Sequence, residues 1–203
     1  MNHKRRDLFL YQLIRSISSV IAASDIYTVH HQNNVSVIAR MIGQEMRLSA
    51  FEVEGIRVAG LLHDIGKSAI PNELLSKYGH LTAEEYALIK THAARADGLL
   101  FGIDFPWPVR EMILQHHERM DGSGYPNGLM GNEICLGARI LAVSDITDAM
   151  MNARPYRRAL GIEKVISELA DNSHLYDPDV CKAFMAIVAD GGERLKNAIH
   201  IIY

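Results

Sequence analysis

Apolar residues recur at three- and four-residue intervals along nearly the whole chain, the spacing that gathers them on one face of an α-helix. In "KRRDLFLYQLIRSISSVIAAS" the stripe is Leu10, Ile14, Ile17 and Ile21, which predicts an amphipathic helix within residues 1–24 that packs on the rest of the fold. The basic start of this stretch is like that of a signal peptide, but Asp7, Gln12 and Arg15 interrupt its apolar run, so a cleaved leader is not expected. A second helix is predicted over about 30–47, and a third from a Ser49 cap to about Gly66, where glycine suits a helix end. Pro71 opens a short helix, and Thr82 with Glu85 has the spacing of a capping box for a helix over about 82–100. Pro106 and Pro108 precede a helix that ends near His117. Helices over about 135–151, 161–171 and 178–190 and a tail over 191–203 follow. No segment reads convincingly as a strand. The pattern is all-α: one domain over 1–203, a bundle of about seven to nine helices.

Residues 118–134, "ERMDGSGYPNGLMGNEI", break the periodicity with four glycines and a proline. Such a loop is long for a compact domain, and long ordered loops often carry function.

Composition narrows the classes. Hydrophobic residues at 48% and charged residues at 22% describe a soluble globular chain with a substantial core. A net charge of −3 gives no global basic field, so a DNA or RNA polymer is not an expected partner. An anionic substrate must then be held by local cations or metal ions. No apolar run reaches the roughly 18 residues that span a bilayer. Cys135 and Cys181 have no pair or metal-type spacing and read as small buried hydrophobes in a reducing compartment, which points to the cytoplasm.

The informative residues are polar ones on apolar faces, where an imidazole or carboxylate is costly unless something satisfies it. His31 shares a face with Val35, Ile38 and Ile42 and points inward, whereas His30 is turned toward Asn33 and Asn34 and is expected to face solvent. In "AGLLHDIGK", His63 and Asp64 end an apolar helix and Lys67 follows one turn later. His92 lies between Ile89 and Leu99, and Asp145 and Asp148 project to one side of an apolar helix. Each has an ordinary explanation taken singly: a helix-ending histidine beside a capped acid, a hydrogen-bonded core histidine, acids paired with the following arginines. Together, His31, His63, Asp64, His92, His116, His117 and Asp145 are nitrogen and oxygen donors distributed over five predicted helices, and a helical bundle can aim such residues inward to build a metal site. The adjacent pairs suit two neighbouring ions better than one, and Asp64 has two oxygens with which to bridge them.

In order along the chain, "YTVHH", "GLLHDIGK", "THAARADGLL", "HHERMDGSGYP" and "VSDITDAMMNARPYRR" resemble the motifs of the HD-GYP family of cyclic-dinucleotide phosphodiesterases, a branch of the HD metal-dependent phosphohydrolases. The resemblance covers about residues 17–190. It implies an HD-domain bundle in which His31, His63, Asp64 and Asp145 hold one divalent ion, and His92, His116 and His117 hold a second with Asp64 bridging. It also implies iron as the working metal, with manganese next. A hydroxide bridging the ions would attack a phosphodiester of cyclic di-GMP or 3′,3′-cyclic GMP-AMP and release the linear dinucleotide, and Asp64 and Lys67 would be the catalytic residues. Lys67, Tyr125, Asp148, Arg154 and Arg158 are the candidates for binding substrate, Arg154 and Arg158 through the second phosphate or a guanine; Asp148 is also a candidate for orienting a ligand. Two positions depart from the family: Tyr27 stands where some members carry a glutamate for a third ion, and Met120 replaces an aromatic residue. A two-metal site with an altered pocket edge is the consequence. Two other readings stay open, an HD phosphohydrolase for another nucleotide and a non-catalytic nucleotide sensor or interaction module. Regulation is expected from a protein partner, a homodimer interface or expression level, or the enzyme stands alone.

Overall fold

The computed structural model describes residues 26–77, 79–153 and 159–199. The expected helix of residues 1–24, the end of the tail at 200–203, and Arg154 and Arg158 lie outside them. Among the described residues, eight α-helices are longer than one turn: α1 (Ile26–Glu45), α2 (Ala50–Leu62), α4 (Ala83–Lys90), α5 (His92–Leu99), α6 (Val109–Gln115), α7 (Leu136–Met151), α8 (Ile162–Asp171) and α9 (Pro178–Ile187). Single-turn helices α3 (Asn72–Leu75) and α10 (Glu193–Lys196) and 3₁₀ turns at Ile65–Ala69, Gly131–Glu133 and Ser173–Leu175 complete the set among the described residues. No strand occurs among the described residues; an isolated bridge joins Asp121 to Met130 inside the long loop.

Helix starts follow the expected chemistry. Ser49 accepts the Glu52 amide at 3.2 Å while Glu52 returns a bond to the Ser49 amide at 2.9 Å. Thr82 and Glu85 form the same reciprocal pair at 3.3 and 2.8 Å. Two helix ends differ from expectation. The third predicted helix stops at Leu62 rather than Gly66, because Asp64 leaves the helical region (φ −97°, ψ 5°) and the chain tightens into the 3₁₀ turn. The helix predicted over 82–100 is divided at Thr91, whose amide and hydroxyl both bond back to the Leu88 carbonyl, at 3.1 and 2.6 Å, closing a tighter turn.

α1 packs along α2 and α7, α6 rests on α2, α5 and α7, and α9 closes over α1. One hydrophobic core runs through the described residues, built from Val35, Ile38 and Ile42 of α1, Val58 and Leu62 of α2, Ile140 and Leu141 of α7, and Phe184 of α9. The 3₁₀ turn approaches α5 closely at Gly66, where a Cβ would collide with the His92 carbonyl. Glycine there lets the segment carrying Asp64 meet the start of α5. Cys135 and Cys181 are half-buried beside the core, not fully buried as expected, and burial pushes both thiols up to about 11.

Candidate metal centre

Five parts of the chain deliver the seven expected donors to one place. His31 comes from α1, His63 and Asp64 from the end of α2, His92 from the first residue of α5, His116 and His117 from the end of α6, and Asp145 from α7. His63, Asp64, His92 and His116 are at most 1% exposed. Ring centres run in a chain, His31 to His63 at 5.2 Å, His63 to His116 at 5.2 Å, His116 to His117 at 4.0 Å and His117 to His92 at 4.9 Å. His30 is half-buried, not solvent-facing as expected.

The hydrogen bonds fix which ring nitrogen faces the centre. Nδ1 of His63 donates to the Gly60 carbonyl at 2.8 Å, Nδ1 of His92 to Ile89 at 2.8 Å, and Nδ1 of His116 to Ile113 at 2.5 Å. Nδ1 of His31 donates to Asp148 Oδ2 at 2.6 Å. With Nδ1 carrying the proton, Nε2 of His63, His92 and His116 keeps its lone pair, and these nitrogens converge with Nε2 of His31. His31 Nε2 lies 3.5 Å from Asp64 Oδ2 and 3.2 Å from Asp145 Oδ1, and His63 Nε2 lies 3.3 Å from Asp64 Oδ2. On the other side His92 Nε2 is 3.6 Å from Asp64 Oδ1 and 3.4 Å from His116 Nε2.

The donors fall into two groups whose ligand atoms lie within 4.8 Å of one another: His31, His63 and Asp64, and His92, His116 and His117. His63 Nε2 and Asp64 Oδ1 are buried without a hydrogen-bond partner, a costly condition for a polar atom that a cation at the centre would relieve. Nitrogen and oxygen donors without a thiolate suit a divalent metal ion, so the residues present fit such an ion.

Electrostatics divides the two groups. Burial depresses His92, His116 and His117, the last to about 3, so that triad is neutral. Burial also opposes charge on His31, but its bonds to Asp145, Asp148 and Asp64 outweigh it and hold the imidazole well above its ordinary value. Burial resists ionisation of Asp64 and Asp145 too; His63 and Lys67 beside the first, and His31 beside the second, hold both well below the usual carboxylate range.

The remaining expected residues sort differently. Lys67 Nζ donates to Asp64 Oδ2 at 2.7 Å and stays partly exposed. Tyr125 stacks on His117 with ring centres 4.7 Å apart and planes 25° apart, and burial raises its phenol so that it stays protonated. Asp148 is only 2% exposed and accepts from His31 at Oδ2 and from Asn34 and Asn152 at Oδ1, both at 2.7 Å, a set of buried bonds that fits orienting His31 better than binding substrate. Glu118 is a residue that sequence reasoning passed over. It is 2% exposed and accepts the amides of Asn127 at 2.7 Å and Leu129 at 3.1 Å, which ties the Gly-Tyr-Pro corner to the segment carrying His116 and His117. Gly124 lies against this backbone so closely that a Cβ would overlap Glu118 and Arg119. Met120 lies along the same loop, its amide bonded to the Leu175 carbonyl and its carbonyl to Gly131.

Known proteins resemble this chain in sequence and in fold. A family model described as HD domain matches residues 15–180. The 3′3′-cGAMP-specific phosphodiesterase 3 of Vibrio cholerae serotype O1 is 34% identical over 174 residues, 85% of this chain and 38% of that protein. A cyclic di-GMP phosphodiesterase of Thermotoga maritima is 37% identical over 182 residues, 88% of this chain and 50% of that protein. The chain therefore spans half or less of the length of these relatives. A crystal structure of a cyclic GMP-AMP specific phosphodiesterase of V. cholerae has the same fold, with a TM-score of 0.67 at 19% identity over 93% of this chain and 53% of that one. Matched in sequence over most of its length and in fold, this chain belongs to the HD domain family.

Proposed function

We propose that the chain is a metal-dependent phosphodiesterase that opens a cyclic dinucleotide, cyclic di-GMP or 3′,3′-cyclic GMP-AMP, to the linear dinucleotide. One observation carries the reading: buried Asp64 turns Oδ2 toward His31 and His63 and Oδ1 toward His92. A carboxylate so oriented serves two cations at once. On this reading His31, His63, Asp64 and Asp145 hold one ion, and His92, His116 and His117 hold the other with Asp64 shared. Five imidazoles and two carboxylates favour iron, then manganese, over zinc with its four-coordinate preference. When bound, such a pair supplies an activated water and neutralises charge building on the phosphate.

The chain's own residues do the positioning. The Nδ1 bonds to Gly60, Ile89, Ile113 and Asp148 hold four imidazoles in one tautomer before substrate arrives. Lys67 presents a partly exposed ammonium beside Asp64, where a phosphate oxygen can take up one of its hydrogens. Tyr125, packed on His117, walls the site and offers its phenol edge to substrate. Arg154 and Arg158 complete the substrate contacts in this proposal, at the second phosphate or a guanine. The substrate class is supported by the names of the relatives. We take the 203 residues to act as one domain in the cytoplasm, under a regulatory partner or as a homodimer.

Turnover of cyclic di-GMP and cyclic GMP-AMP with Fe²⁺ or Mn²⁺, with products resolved by chromatography and metal counted by mass spectrometry, tests the reading. Wild type should carry about two ions per chain and release linear dinucleotide, and Asp64→Ala should lose turnover and retain at most one ion. Equal rates in the two proteins would refute the mechanism. Cleavage confined to a mononucleotide or guanosine tetraphosphate in the same panel would replace the substrate.

A further inference from the structure

Lys90 is the last residue of α4, two positions before His92. Its ammonium lies 5.2 Å from the ring centre of Tyr86 and 5.6 Å from that of Tyr125. Tyr125 is stacked on His117 and stands 6.4 Å from the His92 ring. One phenol therefore separates this cation from the second histidine group. Other lysines here are committed: Lys67 to Asp64 at 2.7 Å and Lys77 to Glu85 at 2.6 Å. Among the described residues no ion pair joins Lys90 to a carboxylate, so its charge is held between two aromatic faces and not neutralised.

A cyclic dinucleotide carries two phosphates. The one being cleaved must sit among Asp64, Lys67 and the imidazoles, and a chain of net charge −3 has no general attraction for the other. A local cation is needed. Lysine supplies a compact charge with three donors, and flanking rings limit the freedom its long stem would otherwise lose on binding. Tyr86 is 50% exposed, which leaves ring surface for a base to stack on.

We propose that Lys90 is a specificity-determining residue that binds the phosphate not being cleaved, with Tyr86 presenting a ring face to the adjoining purine and Tyr125 holding the ammonium in place. The inference rests on the phosphodiesterase reading above. It assigns the discrimination between a cyclic dinucleotide and a simple phosphodiester to a residue outside the metal ligands and outside the Gly-Tyr-Pro loop.

Lys90→Met keeps the apolar stem and removes the charge, and Lys90→Arg keeps the charge. On the metal-loaded proteins, calorimetry gives the Kd of a hydrolysis-resistant phosphorothioate analogue of cyclic di-GMP. Kinetics gives KM and kcat for cyclic di-GMP and for bis(p-nitrophenyl) phosphate, which has no second phosphate or purine. Loss of one charge-assisted contact should raise Kd about tenfold in Lys90→Met. The KM of cyclic di-GMP relative to that of the small diester should rise by about the same factor, with a smaller change in kcat. Lys90→Arg should recover most of the binding, and Lys90→Met should show a weaker salt dependence of Kd. Analogue binding equal to wild type, or parallel losses on both substrates, would overturn the proposal and make Lys90 a brace for the loop. A wild type that neither binds the analogue nor cleaves cyclic di-GMP would instead overturn the phosphodiesterase reading, and this inference with it.

Discussion

Asp148→Asn separates orienting a metal ligand from being one. In wild type every buried hydrogen bond at this carboxylate points inward: His31 Nδ1 to Oδ2 at 2.6 Å, and the amides of Asn34 and Asn152 to Oδ1, each at 2.7 Å. An asparagine has the same shape but only one acceptor oxygen. If its NH₂ replaces Oδ1, it faces two other amide donors and leaves them unsatisfied. If it replaces Oδ2, it faces His31 Nδ1 and favours the tautomer with the proton on Nε2, the nitrogen turned toward Asp64 and Asp145. Either way about 1.5–3 kcal/mol of charged hydrogen bonding is lost. At 1.4 kcal/mol per decade this is about 10- to 100-fold in affinity for the ion on the His31 side, the range usual for removing a partner of a ligand histidine. The His92, His116 and His117 group takes its Nδ1 bonds from Ile89 and Ile113 and should keep its ion. Chelator titration followed by metal counting should thus show one ion leaving early and one late, with far-ultraviolet circular dichroism unchanged. Loss of both ions together, or wild-type retention of both, would refute the idea that Asp148 acts through His31.

Glu118→Gln should leave both ions bound but loosen the loop, because one of the Asn127 and Leu129 amides would then face an NH₂ group; hydrogen exchange over residues 119–133 should speed up and turnover should fall. Acid should also release the two ions unequally. His31 is held well above its ordinary value in the metal-free site, so a cation on its side must displace a proton, whereas the His92, His116 and His117 group is depressed and already neutral. Falling pH therefore weakens the His31 side first, and binding there should release a proton that calorimetry in two buffers detects; loss of both ions at one pH would contradict this.

Much of this was legible in the sequence because it depends on short-range pattern. The apolar stripe of α1 gives the inward direction of His31, and the Ser49 cap and the Thr82 capping box mark helix starts. The Gly-Tyr-Pro segment announces a built loop, and the order of the histidine motifs announces the metal site. What escaped depends on long-range partners. Glu118 looks like a surface acid until the backbone amides 9 and 11 residues later fold onto it. Asp148 could be paired from sequence with Asn152 four residues on, but its bonds to His31 and Asn34 cross more than a hundred residues. Lys90 has no sequence signal, since Tyr125 meets it only when the loop closes over His117. The division of the helix predicted over 82–100 turned on one threonine side chain bonding to its own backbone, a local competition that periodicity does not detect.

Helix ends account for the rest of the centre. His63 and His116 are the C-terminal caps of α2 and α6, and His92 lies two residues past the end of α4. The last carbonyls of a helix lack an amide partner, and Gly60, Ile89 and Ile113 each belong to that last turn. Each imidazole satisfies one of those carbonyls, and the same bond fixes its tautomer and aims its free nitrogen at the centre. The negative ends of three helix dipoles are thereby gathered around a point where cations are wanted. An Nδ1 proton on each of these histidines is therefore a consequence of where the helices stop: lengthening α2 by a turn would move His63 into the ladder, deprive its Nδ1 of the Gly60 carbonyl and leave the ring free to present either nitrogen. The early stop at Leu62 is thus part of how the site is built.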